Sequence, residues 1–221
     1  MPEFYDLTVP ISTGHWRYPN KKEPCSQISK GDSANKTYFD LQSHWFTHID
    51  APKHHVDSGK TLNEFPLDIY VGKAAVLDVS YVQPNEAITA EKLEKAFQKC
   101  STSERLLIKT SWGNKRDWTS KEFWDEAPYI TKDGAEYLKS LKPRLVGFDF
   151  PQDYDLRQLR FGKKGSELDL TTHDVLLANN ILMIEYMNFM WKFDAVDVDF
   201  YGLPLNLTET DGAQIRVLVS C

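Results

Sequence analysis

The stretch "DLQSHWFTHIDAPKHH", residues 40–55, holds four of the six histidines of a 221-residue chain, with two aspartates and one proline. Imidazoles and carboxylates at this density suit a divalent cation: three such ligands bind a borderline ion such as Zn²⁺ and leave a position for water. A lone histidine is more often a half-buried polar residue with a partner, so the spacing has to decide. From Thr37 onward Phe39, Leu41, Trp45 and Ile49 fall on odd positions and Asp40, Gln42, His44, His48 and Asp50 on even ones. That period of two puts His44, His48 and Asp50 on one strand face. Phe46 breaks the parity, but if the chain coils there the i, i+4 spacing still brings two imidazoles together. Pro52 removes a backbone donor and biases Ala51 to extended backbone, so regular structure ends just after the acid. His54 follows the proline. His55, of opposite parity to the other three histidines, is assigned to the loop and not to the site.

A second grouping lies far along the chain. Glu185 ends the apolar run Ile181, Leu182, Met183, Ile184, where an unpaired carboxylate is costly to bury, so it requires a partner. His173 stands beside Asp174 just ahead of an apolar helical segment; the sequence allows it to be that partner or a helix-terminal polar residue.

The elements that must position these groups are a mixture of strands and helices. Aliphatic and β-branched runs predict strands at 74–79, 105–110, 144–148, 181–184 and 215–219. Thr89 can cap a helix whose Leu93, Ala96, Phe97 and Cys100 share a face, Thr119 with Glu122 reads as a capping box, a helix is expected over 134–141, and another in "THDVLLANN" stops near Asn179 or Asn180. The order lacks the strict βαβ rhythm of a doubly wound sheet, and neither nucleotide-binding fingerprint occurs. With 41% hydrophobic residues, 13% of all residues aromatic, and no linker or repeat, one domain over residues 1–221 is expected. Acids exceed bases by six and no basic run stands out, which excludes an electrostatic nucleic-acid footprint. "MPEFYDLTVPIS" is not a secretory leader, and no segment reaches the ~18 apolar residues of a spanning helix, so no membrane role is expected. Cys25, Cys100 and Cys221 form no CxxC pair and fit a reducing, cytoplasmic setting.

The run from His44 through Trp45, Phe46, Thr47, His48, Ile49, Asp50, Ala51, Pro52 and Lys53 to His54 resembles the HxGTHxDxPxH signature of the cyclase-like metal-dependent hydrolase family, with Phe46 where Gly is usual. "YDLTVPIS" resembles the family's opening strand, "LLIKTSW" its RTGW-like segment, "LVGFDFPQD" its GxDxxSxD stretch with Gln152 in place of Ser, and "THDVLLANNILMIEYMNF" its second metal segment. The ending "LPLNLTETDGAQIRVLVS" fits as well, so the resemblance spans nearly the whole chain.

The resemblance implies an α+β, swivelling β/β/α fold: a mixed barrel-like sheet flanked by helices, with the motif loops converging at one end. It implies that His44, His48 and Asp50 bind one metal and that Asp50 bridges to a second completed by His173 and Glu185. One or two Zn²⁺ ions are expected, with Mn²⁺ the second choice for a thiolate-free site. His54 would carry the proton in metal-assisted hydrolysis of an amide-type C–N bond in a small molecule, such as an aryl formamide, lactam or cyclic imide. Tyr18 takes the place of the family's pocket aromatic, a tryptophan in its kynurenine formamidases, and Trp16 can supply the wall instead; ordinary packing is the competing reading for both. A kynurenine formamidase proper, and a non-catalytic metal-binding or regulatory protein on the same scaffold, are the alternatives. A homodimer or homotetramer is implied, the N-terminal aromatic loop reaching a neighbour's site.

Overall fold

The computed structural model describes residues 2–102, 104–163 and 165–221, with Arg160 and Ser166 described in backbone only. The strands are β1 (Phe4–Asp6), β2 (Lys22–Ser26), β3 (Lys36–Phe39), β4 (His48–Asp50), β5 (Val71–Asp78), β6 (Ala87–Ile88), β7 (Arg105–Lys109), β8 (Tyr129–Ile130), β9 (Leu145–Phe148), β10 (Leu182–Glu185), β11 (Asp197–Pro204) and β12 (Gly212–Ser220). The α-helices are α1 (Ala90–Phe97), α2 (Trp112–Lys115), α3 (Glu122–Asp125), α4 (Lys132–Ser140) and α5 (Thr171–Leu177).

The main sheet runs β1-β12-β11-β5-β7-β9-β10-β4, and β4 pairs back onto β12. Strands β12, β11, β5, β7, β9, β10 and β4 therefore close a seven-membered ring, with β1 left as the edge strand beside β12. Pairs β5–β7, β7–β9 and β9–β10 are parallel and the others antiparallel, so the sheet is mixed, barrel-like and flanked by helices as expected. A parallel pair needs a crossover, and α1, α4 and α5 supply it between successive parallel strands. A βαβ rhythm is thus present between residues 71 and 185, hidden in sequence by the short helices α2 and α3 and the long 3₁₀ segment Tyr154–Phe161.

Alternation along the strands separates two cores. Ile49, Leu107, Leu182, Ile184, Val217 and their neighbours pack together inside the ring. Ala75, Leu106, Ile108, Val146 and Met183 face outward against Leu93, Phe123, Leu138 and Leu176 of the helices. Each such fully buried aliphatic side chain contributes ~1.5–3 kcal/mol. On β4 the same alternation sends Ile49 into the ring, so His48 and Asp50 face the helix side.

Several local expectations change. The period-two pattern is not one strand: β3 ends at Phe39, β4 begins at His48, and residues 40–47 are loop. The Gln214 amide donates to the carbonyls of Gln42, Ser43 and Trp45 at 2.7, 3.3 and 3.2 Å, replacing the ladder bonds that a continuous strand would make. The Thr119 hydroxyl donates to Asp117 at 2.8 Å and no capping box forms with Glu122; Ser120 Oγ accepts from the Phe123 N–H instead, at 3.2 Å. Helix α4 starts at Lys132, two residues early, because the Thr131 hydroxyl caps it by accepting from the Gly134 N–H. His173 lies within α5 and not ahead of it.

Phe46, at the position where the signature carries Gly, has φ 58°. This left-handed backbone costs an L-residue ~1–2 kcal/mol. Burial offsets it: the ring is 1% exposed and lies 4.7 Å from the Tyr18 ring. Thr47 clasps the turn, its hydroxyl donating to the Tyr186 carbonyl at 2.8 Å and accepting from the Val9 N–H at 3.0 Å. Phe46→Ala is expected to lose ~3–5 kcal/mol in urea unfolding. Phe46→Gly should then be the more stable of the two by ~0.5–1 kcal/mol, reversing the usual Ala-over-Gly order. Equal midpoints would show that the left-handed turn does not constrain this loop.

Candidate metal centre and its cleft

Pairing of β4 with β10 sets Glu185 opposite His48 and Met183 opposite Asp50. Two residues apart on β4, His48 and Asp50 share a face, and Glu185 joins them from β10. His44 reaches in from the loop before β4, and His173 from α5. Two groups result, with ligand atoms mutually within 4.8 Å: His44, His48 and Asp50, and Asp50, His173 and Glu185. Asp50 belongs to both. Its Oδ1 lies 2.7 Å from His44 Nδ1 and 3.1 Å from His48 Nε2, and its Oδ2 3.8 Å from His173 Nε2. Glu185 Oε1 lies 3.1 Å from His173 Nε2 and Oε2 3.3 Å from His48 Nε2.

Neighbouring groups fix the ring orientations. The His48 Nδ1–H donates to the Phe46 carbonyl at 2.8 Å, which points Nε2 at the carboxylates. The His173 Nδ1–H donates to Asp153 at 2.6 Å with the same result, and Asp153 also accepts the Thr172 N–H at 2.7 Å. Partners of this kind hold metal-binding histidines in one tautomer. His44 Nε2 lies 3.0 Å from Asp211. Gly212 permits that approach, since a Cβ there would meet His44 Cε1 and the Ile49 carbonyl oxygen, each at 2.9 Å.

The donor set fits a divalent cation. His48 Nε2 and Asp50 Oδ2 are buried without a hydrogen-bond partner among the described residues, although ring nitrogen and carboxylates lie close; their approach lacks hydrogen-bond geometry. Burial alone would lower the His48 imidazole, but Asp50 and Glu185 outweigh it and hold it up at about 10. Burial alone would raise Asp50, but the His48 and His44 imidazoles keep it well below the usual carboxylate range. Without a cation, protons on the imidazoles provide the positive charge that these carboxylates require.

The centre opens on a cleft of about 850 Å³ lined by Trp16, Tyr18, His44, His54, His173 and Glu185, among others. His54 sits on a 3₁₀ turn begun by Pro52, its ring stacked on His44 at 3.8 Å and 5.7 Å from the His173 ring. Burial and the facing His44, His173 and His55 rings, opposed by Asp50, push it down to about 4, so the imidazole is neutral at pH 7. His55 is not remote from the centre: it stacks on His173 at 4.7 Å and pairs with Asp174 at 2.9 Å.

All eight residues proposed from sequence meet here: five at the paired centre, His54 stacked beside it, and Trp16 and Tyr18 on the cleft wall. Sequence reasoning missed Asp153 and Asp211, which orient the histidines. It also missed the contact of Gln152, whose amide donates to Glu185 Oε1 at 2.5 Å. The only signal for Asp211 is the "DG" pair just ahead of β12. Asp149, in the "LVGFDFPQD" stretch, supports the backbone: it accepts from Thr110 N, Thr110 Oγ1 and Ser111 N at 2.9, 2.6 and 2.8 Å, and burial pushes it up to about 6.

The Cyclase family model, described as "Putative cyclase", matches residues 5–152, two-thirds of the chain. A kynurenine formamidase of Bacillus anthracis is 30% identical, over 98% of this chain and 97% of its own. A solved structure described as a potential metal-dependent hydrolase with cyclase activity superposes with a TM-score of 0.74 at 25% identity, covering 100% of this chain and 98% of the other. Isatin hydrolase A from Labrenzia aggregata superposes with a TM-score of 0.79, covering 99% and 93%; at 18% identity it shows the shared fold. Family match, end-to-end relatives and fold agree: the chain belongs to the Cyclase family.

Proposed function

We propose that this chain is a metal-dependent amidohydrolase that cleaves an amide-type C–N bond in a small, non-peptide molecule. The observation that carries the reading is a buried His/carboxylate centre, with His48 Nε2 and Asp50 Oδ2 unpartnered, opening directly on an aromatic-walled cleft. The relatives named kynurenine formamidase favour an aryl formamide, with lactams and cyclic imides as the wider class. His44, His48 and Asp50 would hold one ion, and Asp50, His173 and Glu185 a second. Zn²⁺ is the first choice and Mn²⁺ the second, because imidazole and carboxylate without thiolate suit both. A divalent cation held there supplies Lewis-acid polarisation of a carbonyl and acidifies water.

The chain's own groups supply the rest. Asp153 and the Phe46 carbonyl hold His173 and His48 in the tautomer that presents Nε2. Trp16 and Tyr18 stack the aryl group and narrow the access of bulk water. Neutral His54 takes a proton from the attacking water and returns it to the departing nitrogen, so that a formanilide and water yield an aniline and formate. The same reading takes residues 1–221 as one domain. A cytoplasmic setting is supported by three free cysteines, and a homodimer or homotetramer by exposed Ile28, Tyr38, Phe39 and Leu203.

Metal analysis of alanine variants tests the ligands. His44, His48 and Asp50 variants should lose metal, Asp50→Ala most, while His173→Ala and Glu185→Ala should lower the stoichiometry by one. Unchanged metal content across all five would refute the assignment. His54→Ala tests catalysis: metal is expected to stay bound while kcat on a formanilide falls ~10²–10⁴-fold with a smaller change in KM. Unchanged turnover per bound metal from pH 5 to 9 would remove His54 from the proton path, and a wild-type holoprotein inert on formanilides, lactams and imides alike would leave a metal-binding protein in place of an enzyme.

A further inference from the structure

Beyond the metal centre, the cleft wall has an electrostatic character of its own. Besides its imidazoles, its ionisable lining residues with a full charge are Arg17, Lys121 and Glu185, and Glu185 is already engaged with His48 and His173. Neither Arg17 nor Lys121 makes an ion pair with a carboxylate among the described residues, in a chain where acids outnumber bases 32 to 26.

Arg17 is held in place. Its Cζ lies 4.1 Å over the Trp124 ring, and its backbone N–H donates to His15 Nδ1 at 3.2 Å. Trp124 meets Tyr186 edge-on at 4.7 Å, and Tyr186 follows Glu185 directly in sequence, so the guanidinium belongs to the aromatic wall that borders the metal centre. Two further donors in this wall have no hydrogen-bond partner among the described residues: Trp16 Nε1, and Tyr18 Oη on a residue that is 3% exposed. Leaving such groups unpaired on burial is unfavourable, and a ligand oxygen relieves it. An indole N–H can only donate, a phenol can donate, and a guanidinium is a permanent cation with five donors. All three complement an anion, and an ammonium would meet a like charge with no free carboxylate to balance it.

We propose that Arg17, with the Tyr18 hydroxyl and the Trp16 indole, forms an anion subsite, and that the preferred substrate is an aryl amide carrying a carboxylate and no ammonium. The inference rests on the amidohydrolase reading for its reaction and on the cleft wall for its selectivity. Arg17 is a specificity residue: it grips the end of the substrate away from the bond that breaks, and Lys121, exposed at the rim, adds long-range attraction.

The test compares formanilide with its 2-, 3- and 4-carboxylate derivatives and with an aminomethyl derivative, using metal-loaded protein. At least one carboxylate is expected to exceed formanilide by tenfold or more in kcat/KM, mainly through KM, with the aminomethyl compound the poorest. Arg17→Met should lower that carboxylate-to-neutral ratio at least tenfold, and Arg17→Lys should restore part of it, which a merely structural defect would not do. A wild-type ratio near one, or a ratio unmoved in Arg17→Met, overturns the subsite. If no compound turns over, the amidohydrolase reading falls and binding decides the subsite: tryptophan fluorescence titration should show benzoate binding at least tenfold tighter than benzamide in the wild type and not in Arg17→Met. Equal loss of both ligands, or no preference for benzoate, overturns it.

Discussion

The carboxylate of Asp50 is buried completely, and much of this structure follows from accommodating its charge. A buried ionised carboxylate is tolerated only with opposite charge and hydrogen bonds around it; removing one partner of such a set typically costs ~3–5 kcal/mol. Here the partners come from a loop, a strand and a helix: His44 and His48 nearby in the chain and His173 far along it, while the second carboxylate, Glu185, shares His48 and His173. Strand β4, which carries Asp50, is also the strand that closes the ring between β10 and β12. Closure of the barrel and assembly of the centre are one event, since slipping β4 by one residue would turn His48 and Asp50 into the apolar interior and Ile49 out of it.

That coupling explains what could be read from the sequence. The i, i+4, i+6 spacing of His44, His48 and Asp50 is local, and the alternation that exposes two of them on one face holds in β4. Glu185 was recognisable because an acid at the end of an apolar strand needs a partner. Five strands and four helical segments were visible through their aliphatic runs and caps. The missing pieces are the non-local ones. Asp153 closes the "LVGFDFPQD" stretch and Asp211 opens the "DG" pair, but neither signal says which histidine the acid orients. The closing β4–β12 pairing has no sequence signal, because a three-residue strand is too short to show a period.

Three of the eight non-glycine residues with left-handed backbone among the described residues support this centre or the segments beside it. Phe46, Ser111 and Tyr186 all have φ near 57°, and each lies beside a functional or supporting group: Phe46 supplies the carbonyl that orients His48, the Ser111 N–H donates to Asp149, and Tyr186 follows Glu185. Such conformations persist where the surroundings over-determine them. The Thr47 hydroxyl joins two of the three by bonding the Tyr186 carbonyl from the residue after Phe46. A bulky aromatic is therefore tolerated at a left-handed turn because its ring fills the space under Tyr18 and Trp118. One side chain supports the cleft wall and the loop that delivers the ligands.

The polarity of the site then reverses over a short distance. Asp50, Glu185, Asp153 and Asp211 surround the imidazoles with four carboxylates, an arrangement that favours cations. Across the cleft stand aromatic faces, unpartnered N–H and O–H groups and a guanidinium, which favour the opposite charge. A flat molecule with an amide at one end and an anionic group at the other meets complementary chemistry at both ends only when its carbonyl points toward the centre. Holding reactants in one productive orientation is among the largest contributions a binding site can make to rate. The wall and the centre therefore act together: the centre provides the chemistry, and the wall determines which bond is brought to it.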